Sequence, residues 1–191
     1  GYASSPKKLA NIADHGVIYG GRGLIFDGVS DYLSTSTSIT AADSYTIAFW
    51  FYSDGNSSKM MWEGQALSQP SMEGGDSNWW FYVNNGTNIE TGAVSTGEWH
   101  HLVATYNESN LAMRLYVDGA LVDSDTSSST TDDAITTLYI GSREGTSKFF
   151  NGKMSDFKIF DAVLTEAQIK ELYLKPEQSA PLAVRDNLVA W

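Results

Sequence analysis

Between Trp99 and Gly119 the chain alternates outward and inward residues at a period of two, twice over. Leu111, Met113, Leu115 and Val117 interleave with Ala112, Arg114 and Tyr116. Side chains on a strand point to opposite faces in turn, so the first set lines one face as a continuous apolar row. Just before it, Leu102, Ala104 and Tyr106 share one side while His101, Val103 and Thr105 share the other. Asn107 to Asn110 has hairpin-loop composition. Asp118-Gly119 is a two-residue turn signal, because glycine takes positive φ without steric cost. A third strand is expected over Ala120 to Asp123. A helix has no use for this pattern, and an antiparallel meander does.

The rest of the chain has the same texture. Six Trp and ten Tyr sit in short apolar runs separated by Ser, Thr, Asn, Asp and Gly, as in an all-β sandwich. At 191 residues one domain suffices, and such a chain buries roughly 70% of its unfolded surface without a staple. There is no Cys, hence no disulfide framework and no thiol chemistry. The net charge of -11 argues against nucleic-acid partners and anionic membrane surfaces. No apolar run approaches the roughly 20 residues of a membrane-spanning helix. No signal peptide is visible and the chain begins at Gly1, so it reads as a piece of a longer protein.

Gly23–Gly28 followed by Asp31–Leu33 reads as a strand, a turn and a second strand, and strands are further expected over Tyr45–Tyr52, Lys59–Glu63, Trp79–Val83, Thr87–Ala93 and Thr137–Ser142, and in a closing run from Phe149 to Phe160. A long loop is expected from Gly64 to Asn78, and a solvated loop from Ser124 to Asp133. Five of these stretches also resemble, in order, the signatures of laminin G-like domains. They are Phe26-Asp27-Gly28 with Asp31-Tyr32, then Tyr45–Tyr52, then Trp99-His100-His101 with Leu115-Tyr116-Val117-Asp118-Gly119. Leu138-Tyr139-Ile140-Gly141 and the Phe149–Phe160 run follow, the last with Met154 and Ser155 in place of the family's Ile and Asp. The resemblance covers Gly23 to Tyr173. It implies an all-β, two-sheet antiparallel jelly-roll sandwich of concanavalin A-like type with one short C-terminal helix.

That helix is also legible from its own residues. Thr165 is placed as N-cap with Gln168 as its capping-box partner, and Leu164 and Ile169 as a hydrophobic staple. Pro176 ends the run. The expected domain is 1–174. Residues 175–191 are expected to be a linker plus a strand, Asn187 to Trp191, that opens a following repeat, is donated to a neighbour, or pairs within its own domain.

Catalysis finds little support. Glycosidases on this fold carry paired carboxylates on one strand, and no such run occurs. Glu63, Glu73, Glu90 and Glu98 are isolated, and Asp123 and Asp125 open a Ser/Thr loop. His100 and His101 point to opposite faces and cannot grip one metal. By resemblance, Asp27 and Asp156 align with positions that hold a structural calcium ion. Trp62, Trp79, Trp80 and Tyr82 cluster around the Gly64–Asn78 loop, with Gln65, Gln69, Asp76 and Asn78 close by. Aromatic faces stack on sugar C–H faces while amides and carboxylates fix hydroxyls. Trp79 and Trp80 alternate, so at least one belongs to the core, and Trp50 and Trp99 are expected there too. The function expected is non-catalytic binding or adhesion to a glycan or glycoprotein, within a larger secreted, cell-surface or virion protein. The rivals are a structural decoration or assembly domain, using neighbouring repeats through the C-terminal strand, and a glycan hydrolase.

Overall fold

The computed structural model describes residues 23–39, 44–55, 59–65, 70–75, 77–83, 87–128, 135–176, 178 and 180–190. The strands run in chain order as β1 (Gly23–Asp27), β2 (Leu33–Ile39), β3 (Tyr45–Ser53), β4 (Lys59–Gly64), β5 (Ser71–Gly75), β6 (Asn78–Tyr82) and β7 (Asn88–Glu90). They continue as β8 (Trp99–Asn107), β9 (Ala112–Val117), β10 (Ala120–Thr126), β11 (Ile135–Ile140) and β12 (Asn151–Phe160). After helix α1 (Glu166–Leu174) and a 3-10 segment (Leu182–Asn187), β13 (Leu188–Ala190) is the last. One antiparallel sheet has the order β1-β12-β3-β8-β9-β10, with β13 also on β12; the other has the order β2-β11-β4-β5-β6-β7. This is the two-sheet jelly-roll sandwich with a short C-terminal helix.

The period-two reading of the meander holds residue by residue. Leu102, Ala104, Tyr106, Met113 and Leu115 face the second sheet, in one core with Phe49, Phe51, Trp62, Trp79 and Phe81. Val103 and Tyr116 face the other way and are buried by different partners: Leu164, Ile169 and Leu172 around α1, with Ala180 and Val184 behind them. The Asp118-Gly119 turn takes φ of 51° and 77°, the two left-handed positions of a tight hairpin. The outer face of the first sheet is therefore covered. Thr46 fastens that cover: its hydroxyl donates to the Ala162 carbonyl at 2.7 Å and accepts from the Leu164 N–H at 3.0 Å. The helix begins as expected, with Thr165 and Gln168 forming the reciprocal capping box.

Two expectations are corrected. The stretch read as a long loop contains β5, which forms a hairpin with β6. Gly74 makes it so: a Cβ there would lie 2.3 Å from the Asn78 carbonyl oxygen, so the glycine that signals a loop is a close approach inside a strand. Of the three outcomes open for the tail strand, the structure shows pairing within its own domain. Leu188 pairs with Phe160 and Ala190 with Ile159, in line with β1 along the same edge of β12. The start of the expected solvated loop is likewise strand, since β10 runs to Thr126.

Candidate functional site

Among the described residues, α1 and the tail cover one sheet, and the outer face of the second is the sheet surface left to meet a ligand. Alternation places the side chains there. On β6, Trp79 and Phe81 enter the core, so Asn78, Trp80 and Tyr82 face outward. On β11, Leu138 and Ile140 enter the core, so Tyr139 faces outward. On β4, Trp62 is inward and Glu63 outward. The register sets these in two rows. Tyr139 lies opposite Glu63, Glu63 opposite Ser71, Ser71 opposite Tyr82, and Tyr82 opposite Asn88. In the next row Glu73 lies opposite Trp80, and Trp80 opposite Glu90. At the usual strand spacing the first row spans about 19 Å. Trp80, Tyr82 and Tyr139 are partly exposed, and Tyr32 packs against Tyr139 with ring centroids 6.4 Å apart.

The polar groups on this face are ordered. Trp80 Nε1 and Asn78 Nδ2 both donate to Glu90 Oε2, at 2.9 and 2.8 Å. The Glu90 N–H in turn donates to Asp123 of β10 at 2.9 Å. Arg143 reaches from the loop after β11 to bridge Glu63 at 3.4 Å and Glu73 at 2.8 Å, and Lys148 from the same loop also bonds Glu73. Glu63 is only 3% exposed, its Oε2 has no hydrogen-bond partner, and burial pushes its carboxyl up to about 7 against the pull of Arg143. Burial and the nearby Glu73 charge also raise the Tyr82 phenol.

The residues singled out from sequence divide accordingly. Trp80, Tyr82 and Asn78 share the outer face. Trp62 and Trp79 do not: at 0% and 1% exposure they fill the inter-sheet core and offer no face to a sugar. Asp76 and Gln69 lie outside the described residues, and Gln65 is an exposed partner of Thr136. Trp50 is core, but beneath α1, stacked on Tyr173; Trp99 is half-buried, edge-on to Tyr52. The residues missed were Tyr139, Arg143 and the outward role of Glu63. The Leu138-Tyr139-Ile140 alternation carried the first of these; nothing in sequence placed Arg143.

Asp27 and Asp156 do not fit a shared calcium ion. Asp27 pairs with Asn151 and Gly23 with Ser155, so Asp156, the next residue of β12, lies beyond the far end of β1, about 16 Å along the strand from Asp27. Asp27 Oδ1 already accepts the N–H groups of Val29, Ser30 and Asp31, and these hold its carboxyl near about 2. Asp156 is ion-paired to the buried Lys158. Among the described residues no three of His, Cys, Asp and Glu group to hold a metal.

His100 and His101 are both buried and on opposite faces. His101 packs on Trp50 and Tyr173, and desolvation lowers it to about 3. His100 links Asp118 at 2.8 Å to Ser95 at 3.0 Å. That relay has the connectivity of an acyl-transfer triad. The segment around Ser95 is held from both sides, by Val94 N–H on the Ser77 carbonyl at 2.6 Å and Gly97 N–H on the Ser53 carbonyl at 3.0 Å, and the relay pins it to the β9–β10 turn.

The protein matches the family described as "Concanavalin A-like lectin/glucanases superfamily", laminin G type, over residues 27–170. It is 29% identical over 185 residues to the rat (Rattus norvegicus) "Sushi, von Willebrand factor type A, EGF and pentraxin domain-containing protein 1", covering 86% of this chain and 5% of that protein. The chain thus spans about one twentieth of the length of the curated relatives it matches. Among solved structures it is similar to the heptameric SAP-like pentraxin of Limulus polyphemus, with TM-score 0.65 and 17% identity over 79% of this chain and 81% of that one. It is also similar to domain 4 of a GH43 extracellular arabinanase from Geobacillus stearothermophilus in complex with arabinotriose. There the TM-score is 0.59 and the identity 17%, over 80% and 88% of the two chains.

Proposed function

Since the chain belongs to the concanavalin A-like lectin/glucanases superfamily as a laminin G-like domain, we propose that it is a non-catalytic binding module whose ligand is a glycan, held on the outer face of the second sheet. One observation carries the reading. This face presents Trp80, Tyr82 and Tyr139 in register with Glu63, Glu73, Glu90, Asn78 and Asn88, while the opposite outer face is sealed by α1. Aromatic planes for sugar C–H faces and fixed carboxylate and amide groups for hydroxyls are the two components of saccharide recognition. The row is long enough to lie along several linked rings. A likeness to a sugar-bound domain of an extracellular arabinanase supports the choice of ligand, and the small share of the rat relative that is matched supports a module within a larger extracellular or surface protein. Among the described residues no helix is long and apolar enough to cross a membrane. The test is titration of neutral and charged oligosaccharides by calorimetry, with Trp80→Ala and Tyr139→Ala as paired variants. Binding at millimolar sugar or tighter, weakened by both variants, supports the reading; no binding across the panel rejects it.

A further inference from the structure

The charges on this face do not balance, and the imbalance selects a ligand. Glu63 is buried and keeps its proton up to about pH 7, so the charges of the face and its covering loop are those of Glu73, Glu90 and Glu144 against Arg143 and Lys148. Both cations are already committed, Arg143 to Glu63 and Glu73, and Lys148 to Glu73. Glu90 is different. It is exposed, and Oε2 takes two neutral donors, the Trp80 indole N–H and the Asn78 amide. Among the described residues it forms no ion pair. An arriving carboxylate or sulfate would meet this acidic surface with, among the described residues of the face, no uncommitted cation to receive it. An arriving ammonium would meet the Glu90 carboxylate beside the indole of Trp80, and an aromatic ring next to a carboxylate is a favourable place for a cation.

We propose, resting on the glycan-binding reading above, that this face is selective for saccharides bearing a free amine, with Glu90 and the Trp80 ring as the ammonium subsite, and that it rejects uronic acids. The recognised group is a protonated primary amine on a sugar ring. Its N-acetylated counterpart keeps the ring and hydroxyls but loses the charge. A uronate reverses it.

The experiment compares three probes by calorimetry at about pH 6, where a sugar amine is protonated and an ordinary carboxylate ionised: a glucosamine oligomer, the fully N-acetylated oligomer of the same length, and a galacturonate oligomer. The expected result is at least about tenfold tighter binding of the amine form than of the acetylated form, and none of the galacturonate. Raising the salt should weaken the amine form selectively. Glu90→Gln keeps an acceptor for Trp80 and Asn78, and should bring the amine-to-acetyl affinity ratio towards one. If that variant folds poorly, the salt series on the unaltered protein distinguishes the same outcomes. Equal binding of amine and acetyl forms, or binding of the uronate, overturns the amine selectivity and leaves the glycan reading standing. No binding by any of the three, nor by the neutral panel, overturns both.

Discussion

Trp80 Nε1 donates to Glu90 Oε2 at 2.9 Å across the β6–β7 pair, and Asn78 Nδ2 shares that oxygen at 2.8 Å. A half-exposed indole would ordinarily sample several rotamers. Here the ring is tied by its nitrogen to a neighbouring strand, so it meets a ligand already oriented, and less ordering entropy is lost on binding. Trp80→Ala is expected to weaken saccharide binding about tenfold or more, roughly 1.4 kcal/mol, with little change in stability. Calorimetry and thermal melting on the same samples separate the two effects.

The core tryptophans should behave in the opposite way. Trp62 and Trp79 are fully buried among Phe51, Phe81 and Phe150. Trp62→Ala or Trp79→Ala is expected to cost about 3–5 kcal/mol of stability, by lost burial plus the cavity left behind. Denaturant unfolding measures this directly. A loss below about 1 kcal/mol would contradict the assignment of either ring to the core.

Glu63 gives stability a pH dependence of unusual sign. Its folded-state value, about 7, lies above the ordinary glutamate value of 4.5. The folded protein therefore holds this proton more tightly than the unfolded chain does. That contribution is fully present below pH 4.5 and lost as pH rises through 7. His101, lowered to about 3 by burial, acts in the opposite sense, costing stability as pH falls below 6.5. The informative quantity is accordingly the difference between the unaltered protein and Glu63→Gln. The variant should gain roughly 1–3 kcal/mol relative to the parent between pH 5 and 8. Urea titrations across that range provide the check.

His100 raises a separate expectation. The bond from Asp118 keeps its imidazole protonated above the usual range, with burial opposing. Its stabilising contribution is complete below pH 6.5 and fades as pH rises past the raised folded value. Asp118→Asn should remove that dependence and cost about 1–3 kcal/mol at pH 6. Faster amide exchange around Ser95 would accompany it, because the relay that holds this segment is broken.

Chelation should do nothing to stability through Asp27 and Asp156. A metal bound to the folded state raises the melting temperature by mass action. Asp27 ends β1 and Asp156 lies on β12 past the other end of β1, one spent on backbone amides and the other on Lys158. The expected melting curve is unchanged by chelator, and by Asp27→Asn beyond the loss of its turn.

Much of this molecule could be read from the chain because its signals are local. The alternation from Trp99 to Gly119 and the Thr165–Gln168 box depend on neighbours a few residues apart, and both appear as expected. What stayed hidden depends on strand register, bulges and pairing, which local patterning does not specify. Trp62 and Trp80 look alike in sequence, but a register shift between Met60 and Trp62 helps set which way the first faces. Asp156 resembles a metal ligand until Lys158, two residues on across a bulge in β12, takes its charge. Gly74-Gly75 spells a loop to any local rule, yet Gly74 lets β5 and β6 approach. The proposed binding face is also a tertiary product: Tyr139, Glu63, Glu73 and Trp80 come from four strands, and Arg143 from a loop.

Whether the outer face of the second sheet is the ligand surface can be read from the six tryptophan indole N–H resonances during an oligosaccharide titration. A ligand seated there produces a saturable shift of the Trp80 signal and leaves those of Trp62 and Trp79 unmoved. A saturable response that spares Trp80, or one led by tryptophans on the helix-covered sheet, would contradict that placement.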